Sequence, residues 1–499
     1  MSNPTALDNL LSYTKVSTAY QSALTALSWE AATGAPNGKA AEIRGETMGV
    51  LSGLMYSHDT DLEMGRLLDM VEKEPMDERA SAIVRVLRKE YDRQRKLPKE
   101  FVVEYATQAA KAERVWETCK TSDDYETFAP YLDKMIQLTK QMAEYTNRGG
   151  SLYDTLLDDF EEGLDIAQAD EYFATMKAKI VPLLQKIMAS KKKIDTSFLE
   201  LPVSIDQQRK ISSLMMDVVG YDRTRGWLAE SEHPFSTSMN KYDCRITTKY
   251  HETNHASSVF SILHESGHAL YEMGKADNLV GTPLDGGVSM GIHESQSRFY
   301  ENIVGRSEAF VQTHFDALKK LLGAPYAHVT PKMYFEAINN VTPSYIRIEA
   351  DELTYSLHIM IRYEMEKMFI NGDYDIKKLP KQWFEMVEAY LGLPAVDNKN
   401  GILQDTHWSG GLFGYFPSYS IGSAYSAQFL HAMQKDLSVE DCIRQNNIAA
   451  ITNWLGDHVH RFGKMKSPKD VLQFATGEAF NPQYYADYLT QKYTALYEL

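Results

Sequence analysis

Apolar residues recur at helical spacing along most of this 499-residue chain. In ASAIVRVLRKEYDRQRKLP, residues 80–98, Ile83, Leu87 and Tyr91 fall at i, i+4 and i+8 with charges between them. Pro98 marks the stop. In PYLDKMIQLTKQMAEYTNRGG, residues 130–150, Leu132, Met135, Ile136 and Met142 form one stripe. Pro130 reads as part of a first turn and Gly149-Gly150 as the end. Residues from about 165 to 220 repeat the pattern. One stretch breaks it. PFSTSMNKYDCRITTKY, from Pro234 to Tyr250, is rich in Ser, Thr and Tyr and has no helical stripe. It predicts a hairpin or short antiparallel sheet. The expected fold class is therefore mainly α: a large helical body with one small antiparallel β-sheet. There is no internal repeat and no low-complexity linker. Residues 1–499 read as a single domain, with a helical N-terminal part over roughly 1–220. The chain is long enough to bury a core and still hold a deep cleft.

The helix that follows the strand-like stretch carries the chemistry. SILHESGHALYEMG, Ser261 to Gly274, contains His264-Glu265-Ser266-Gly267-His268, an HExxH pattern. At 3.6 residues per turn, His264 and His268 share a face and can offer ring nitrogens to one ion. Glu265 lies about 100° around the helix, able to reach a water beside that ion without ligating it. Asn254 or Ser257 can cap the start and Gly274 the end. Val259, Phe260, Ile262, Leu263, Leu270 and Met273 make the helix apolar nearly all round, so it should be buried. Buried imidazoles need partners, and a metal would supply one. The duller reading is two core histidines bonded to backbone.

A zinc peptidase needs a third protein ligand and an open position. Downstream, GGVSMGIHESQSRFYENIVGRS predicts a second helix from about Ser289 to Val304. Glu294 on it would complete a His₂Glu set, with His293 as the competitor. The alternative third-histidine position, in HExxHxxGxxH spacing, holds Gly274. The acidic run YDTLLDDFEEG, Tyr153 to Gly163, reads as a solvated helix terminus rather than a cation site. His251 and His255 read as surface or packing residues.

Composition narrows the class. A net charge of −16 argues against nucleic acid or anionic membrane as a partner. Three scattered cysteines, Cys119, Cys244 and Cys442, make no disulfide framework and fit a reducing, cytoplasmic compartment. The N-terminus does not read as a secretory signal, and no apolar run approaches a membrane span.

Four further segments accompany HExxH. DCRIT (Asp243–Thr247) fits DxRxT, and HESQ (His293–Gln296) fits literally. IRIEAD (Ile346–Asp351) fits IRxxAD, and GILQDTHW (Gly401–Trp408) fits GxxQDxHW. In this set and order the chain resembles the carboxypeptidase Taq family of HExxH zinc metallocarboxypeptidases. The metal and substrate motifs then occupy roughly 232–425. The resemblance implies a nearly all-helical fold with a long active-site groove, usually a homodimer. It implies removal of single C-terminal residues from peptides with broad specificity. It implies Zn²⁺, with Co²⁺ able to substitute. By position, the ligands would be His264, His268 and Glu294, and Glu265 the base.

A carboxypeptidase must also hold the substrate's terminal carboxylate, which suits a guanidinium fork. Arg347 and Arg245 are the candidates; the bland alternative is a structural ion pair, for example with Asp351 or Asp243. His407 could donate to an oxyanion or carboxylate, and Gln404 could bind substrate backbone. Tyr415 and Tyr419 could line the site. Asp351 and Glu301 are candidates to orient the ligand histidines. Two other functions remain open at this level: a zinc oligopeptidase cutting internally in short peptides, and a helical binding protein with a structural metal.

Overall fold

The computed structural model describes residues 5–499. Twenty α-helices and one three-stranded sheet make up the regular structure of the described residues, so the mainly α expectation holds. The helices form where the periodicity put them. The 80–98 stripe lies in the helix Glu78–Arg95, capped by Asp77, and the next helix, Lys99–Ser122, starts directly after Pro98. The 130–150 stripe differs at its start. Its helix runs Tyr125–Thr146 from the cap Asp124, so Pro130 lies inside it rather than in the first turn. Tyr125, Phe128 and Ala129 are buried, and their packing extends the helix ahead of the proline.

Two apolar cores are separate. Ala6, Leu10, Met64, Leu67, Leu68, Val71 and Ile83 close a small core among the first helices, seated against Leu279 and Leu284. The other core is large, drawing buried apolar side chains from Ala112 to Tyr497. The helix Lys39–Asp59 buries no residue at all.

The sheet contains strands β1 (Leu228–Glu230), β2 (Ser236–Asn240) and β3 (Asp243–Thr248). β2 and β3 pair antiparallel, the expected hairpin, with an irregularity between Ser238 and Asn240. β1 adds to the other edge of β3 in parallel, giving the order β1-β3-β2. Three residues are too few to show alternation, so β1 left no pattern to read.

Two helices hold the site. The first, His255–Met273, is capped by Asn254, whose side chain accepts the Ser257 N–H at 3.2 Å, and it ends at Gly274. It is buried nearly all round, as its composition predicts. The second, Met290–Arg298, is capped by Ser289 and runs straight into π-helical backbone over Phe299–Gly305. The expectation of one continuous helix is thus met in extent but not in winding. A π segment is common at functional sites because it turns side chains away from their α-helical directions.

Gly267 sets how closely the two helices approach. A Cβ there would lie 2.6 Å from the Gln296 carbonyl oxygen and 2.7 Å from Ser297 Cα. Both obstacles are backbone of the second helix and cannot swing away. On its other side, Gly422 of the helix Phe416–Met433 does the same. A Cβ at Gly422 would lie 2.6 Å from Glu294 Cβ and 3.0 Å from the Gly291 carbonyl oxygen. The second helix is therefore gripped between two glycines.

The acidic run corrects the sequence reading at one residue. Asp158, Asp159 and Glu162 do face bases: Arg148, Arg93 and Arg85 respectively. Glu161, however, is 1% exposed. It accepts the Gly291 N–H at 2.8 Å and the Tyr425 O–H at 3.2 Å, closing the start of the Met290–Arg298 helix. Burial pushes its carboxyl up to about 7. A local charge run cannot reveal that a distant helix N-terminus docks on one of its members.

The glycine contact yields a test. Gly267→Ala should lower folding stability by about 1–3 kcal/mol through overpacking. Denaturant unfolding of both proteins checks it, and equal stability would contradict the contact.

Candidate active site

The two histidines at i and i+4 turn their Nε2 atoms toward the second helix. His264 Nε2 lies 3.7 Å and His268 Nε2 3.6 Å from Glu294 Oε2. All three donor atoms fall within 4.8 Å of one another. Donors on tetrahedral bonds of about 2.0–2.2 Å stand about 3.3–3.6 Å apart, so this set fits a divalent ion with little adjustment. Two imidazoles and one carboxylate leave the fourth direction open.

What surrounds the donors explains their orientation. Glu301, on the π-helical stretch, accepts from His264 Nδ1 at 2.9 Å, which leaves Nε2 bare for an ion. Glu301 is in turn held by Arg298 at 3.2 Å and Arg306 at 3.4 Å. Arg298 also donates from Nε to Glu294 Oε1 at 2.7 Å, while Oε2 faces the histidines and accepts from the Ser297 hydroxyl at 3.2 Å. Burial alone would raise Glu294 and Glu301. Arg298 with the imidazoles more than offsets it and holds both well below the ordinary carboxylate range. Glu301 thus takes the orienting place expected of it. Asp351 does not: it caps the helix Glu352–Asn371 and accepts the Thr354 and Thr342 N–H groups.

Glu265 is 6% exposed, on the helix that packs against β2 and β3. Burial, helped by the nearby Glu294 and opposed by His264, pushes its carboxyl up to about 7. A cation at the donor set would favour its ionised form.

The other motif residues gather around Asp405. Arg347 donates to Asp405 Oδ1 from Nε at 3.0 Å and Nη2 at 2.9 Å. Arg362 donates to Oδ2 from Nε at 2.7 Å and Nη2 at 2.5 Å. The partner of Arg347 is therefore Asp405 and not Asp351. Two buried guanidiniums share one carboxylate, leaving one positive charge over. Arg347 Nη1 donates to the Tyr355 hydroxyl at 3.2 Å, and the Tyr355 ring lies 4.3 Å from the Arg298 guanidinium carbon. Tyr355 thereby connects this cluster to the carboxylates of the metal set. His407 packs on Phe416, with ring centres 4.3 Å apart, and its Nε2 lies 3.3 Å from the Tyr419 hydroxyl. Its Nδ1 is buried without a partner. Burial lowers the ring to about 4, so it is neutral at ordinary pH. Tyr415 meets Tyr419 edge-on at 5.1 Å in the same cluster.

Two candidates depart from the expected substrate contacts. Gln404 accepts the Arg347 N–H at 2.9 Å, and its amide nitrogen faces the carbonyls of Tyr345, Asn400 and Gly401. Both ends of its amide are taken, so it shapes the Arg347 loop from below. Arg245 forms a two-pronged pair with Asp243, at 2.8 Å on each prong, and stacks near Trp29 and Trp227. That is the structural ion pair weighed against the substrate role. His255 is fully buried between Tyr326 and Tyr334, a packing residue, and His251 is exposed.

Sequence reasoning missed Asp405 and Arg362 as a unit, and Tyr355 and Arg298 altogether. Asp405 sat inside GxxQDxHW, and its acid beside IRxxAD's arginine was the available signal. Arg298, four residues after Glu294 on one helix face, could also have been read. Nothing local marked Arg362 or Tyr355.

A helical body with a part-buried His₂Glu set, an adjacent free glutamate and an arginine-rich cluster alongside defines a metallopeptidase. The profile of the carboxypeptidase Taq (M32) metallopeptidase family matches residues 9–493, and the chain belongs to that family. It is 39% identical to Carboxypeptidase 1 of Bacillus subtilis over 483 residues, 96% of each chain. It is 37% identical to Thermostable carboxypeptidase 1 of Thermus thermophilus over the whole of both chains. The crystal structure of an M32 carboxypeptidase from Deinococcus radiodurans superposes with a TM-score of 0.96 at 33% identity, covering 99% of this chain and 100% of that one. The protein is a metallocarboxypeptidase.

The Glu301 contact predicts a measurable loss. Glu301→Ala should weaken metal binding about 10–100-fold, read by competition with a chelator of known affinity. Unchanged affinity would show that His264 needs no such partner.

Proposed function

We propose that the metal is Zn²⁺, bound by His264, His268 and Glu294, and that Glu265 is the general base for hydrolysis of the C-terminal peptide bond. The observation that carries this is the convergence of three donor atoms within 4.8 Å, with Glu265 on the same helix. A divalent ion held there by His264, His268 and Glu294 would supply Lewis-acid polarisation of the scissile carbonyl and would lower the pKa of water toward about 7. Glu265 takes the proton of the attacking water and hands it to the departing amine. The excess positive charge of Arg347, Arg362 and Asp405 is the receptor for the substrate's terminal carboxylate. His407, neutral and with a free ring nitrogen, lies beside it with Tyr415 and Tyr419. Gln404 supports Arg347 through its backbone, a positioning role rather than a substrate contact.

We read the substrates as peptides of broad sequence and the working form as a homodimer in the cytoplasm, with Co²⁺ able to replace Zn²⁺. The family resemblance supports this, as do an acidic chain and three free cysteines. Among the described residues no helix is long and apolar enough to cross a membrane. Nucleic acid is not expected as a partner of a chain with net charge −16.

Two experiments test the reading. Glu265→Gln should retain its metal and lose about 10²–10⁴-fold in kcat. Substantial residual turnover would remove Glu265 from the base role. An N-blocked peptide with a free C-terminus should lose residues one at a time under mass detection, while its C-terminal amide is left intact. Internal cleavage of the amide would favour an oligopeptidase instead.

A further inference from the structure

The two ligand histidines are not held in the same way. His264 leans on a carboxylate directly, through Glu301. His268 does not touch a carboxylate with its outer nitrogen. Its Nδ1 lies 2.6 Å from Nδ1 of His293, the first residue of HESQ. The far nitrogen of His293, Nε2, lies 2.9 Å from Glu272 Oε1. Glu272 also accepts the Gly287 N–H at 3.0 Å and is ion-paired with Lys275. Lys275 in turn meets Asp285 at 2.5 Å. The lysine side chain is 2% exposed, an unusual place for an ammonium unless it is paired on both sides.

The proton placement follows from valence. If His268 offers Nε2 to an ion, its Nδ1 carries hydrogen and must donate. His293 Nδ1 is then the acceptor and is bare. A neutral imidazole with a bare Nδ1 carries its hydrogen on Nε2, and that atom faces an ionised carboxylate. Each donor meets an acceptor along the whole chain, and reversing any one bond leaves two donors or two acceptors face to face.

We propose that His293 is a positioning residue for the metal site: it fixes the tautomer and ring direction of His268 as the middle member of a His268–His293–Glu272 relay, with Lys275 and Asp285 anchoring the far end. It is not a metal ligand. Both of its ring nitrogens are engaged away from Glu294, and the donor set closes without it. This also gives Glu272, four residues after His268 on the same helix, a function that HExxH alone does not include. The relay separates the negative charge from the ligand by one neutral ring. His268 is thereby oriented with no carboxylate in direct contact with its Nδ1, so less negative charge is brought up to the ion.

The inference rests on the His₂Glu metal reading, and its test separates the two. Zn²⁺ affinity is measured by chelator competition for wild type, His293→Leu and His293→Gln, alongside thermal unfolding of each metal-free protein. Glutamine presents an acceptor and a donor in one planar group and can bridge His268 and Glu272; leucine can do neither. The expected result is about 10–100-fold weaker binding for His293→Leu and affinity within about threefold of wild type for His293→Gln. Equal affinity of the leucine variant and wild type would overturn the relay. So would equal losses in both variants, which is what a packing role predicts. Should the leucine variant fail to fold, a loss of more than about tenfold in His293→Gln alone overturns it. No Zn²⁺ binding by wild type would overturn the metal reading itself and the relay with it.

Discussion

The site depends on one steric constraint, the contact of two helix backbones at Gly267. HExxH provides two imidazoles on one helix face, but a third donor must arrive from elsewhere in the chain. Without a side chain at Gly267, the backbone at Gln296 and Ser297 comes within the distance where a Cβ would stand. That approach sets Glu294 Oε2 less than 4 Å from both Nε2 atoms. Gly422 allows a third helix to press from behind, against Glu294 itself. Gly267 in HESGH thus carries geometry as much as its histidines carry chemistry.

Such packing puts four carboxylates, Glu265, Glu294, Glu301 and Glu272, into a space with little water. The chain offsets them in different ways. Arg298 bridges Glu294 and Glu301, Arg306 adds a second charge at Glu301, and Lys275 pairs with Glu272. Glu265 has no basic partner of its own, and burial raises it as a result. The one carboxylate without a fixed counter-charge is also the one proposed to gain and lose a proton in hydrolysis. On the other side of Tyr355 the balance is reversed. Asp405 serves two arginines, and the surplus is positive. A donor set that fits a divalent cation, joined through Tyr355 to a surplus positive charge, suits the proposed substrate, a peptide that ends in a carboxylate.

The parts that were legible in the sequence are those whose chemistry is local. His264, Glu265 and His268 lie within one helical turn, and the cap at Asn254 and the stop at Gly274 follow from neighbours in the chain. The hairpin of β2 and β3 is a short-range pairing and could be read as well. Glu294 was legible because it falls in a helix close downstream. The rest depends on contacts that the chain order hides. Glu301 reaches His264 through π-helical winding, which no periodicity announces. Glu161 reads as one more surface acid until Gly291 is brought onto it from far along the chain. Asp405 could be paired with Arg347 only by knowing that two motifs meet in space, and Arg362 carries no motif. His293 was weighed as a competing ligand; its sequence position beside Glu294 could not show that its ring faces His268 and Glu272 instead.

Two helices in backbone contact would thus build the proposed His₂Glu metal site. The direct measurement is the coordination shell of the Zn²⁺-loaded protein, by crystallography of the loaded form at the metal absorption edge. The expected result is one ion bound by Nε2 of His264, Nε2 of His268 and a carboxylate oxygen of Glu294, with His293 Nδ1 facing His268 and Glu265 unligated. An ion ligated by His293, or seated among Glu272, Asp285 and His293 away from Glu294, would contradict it.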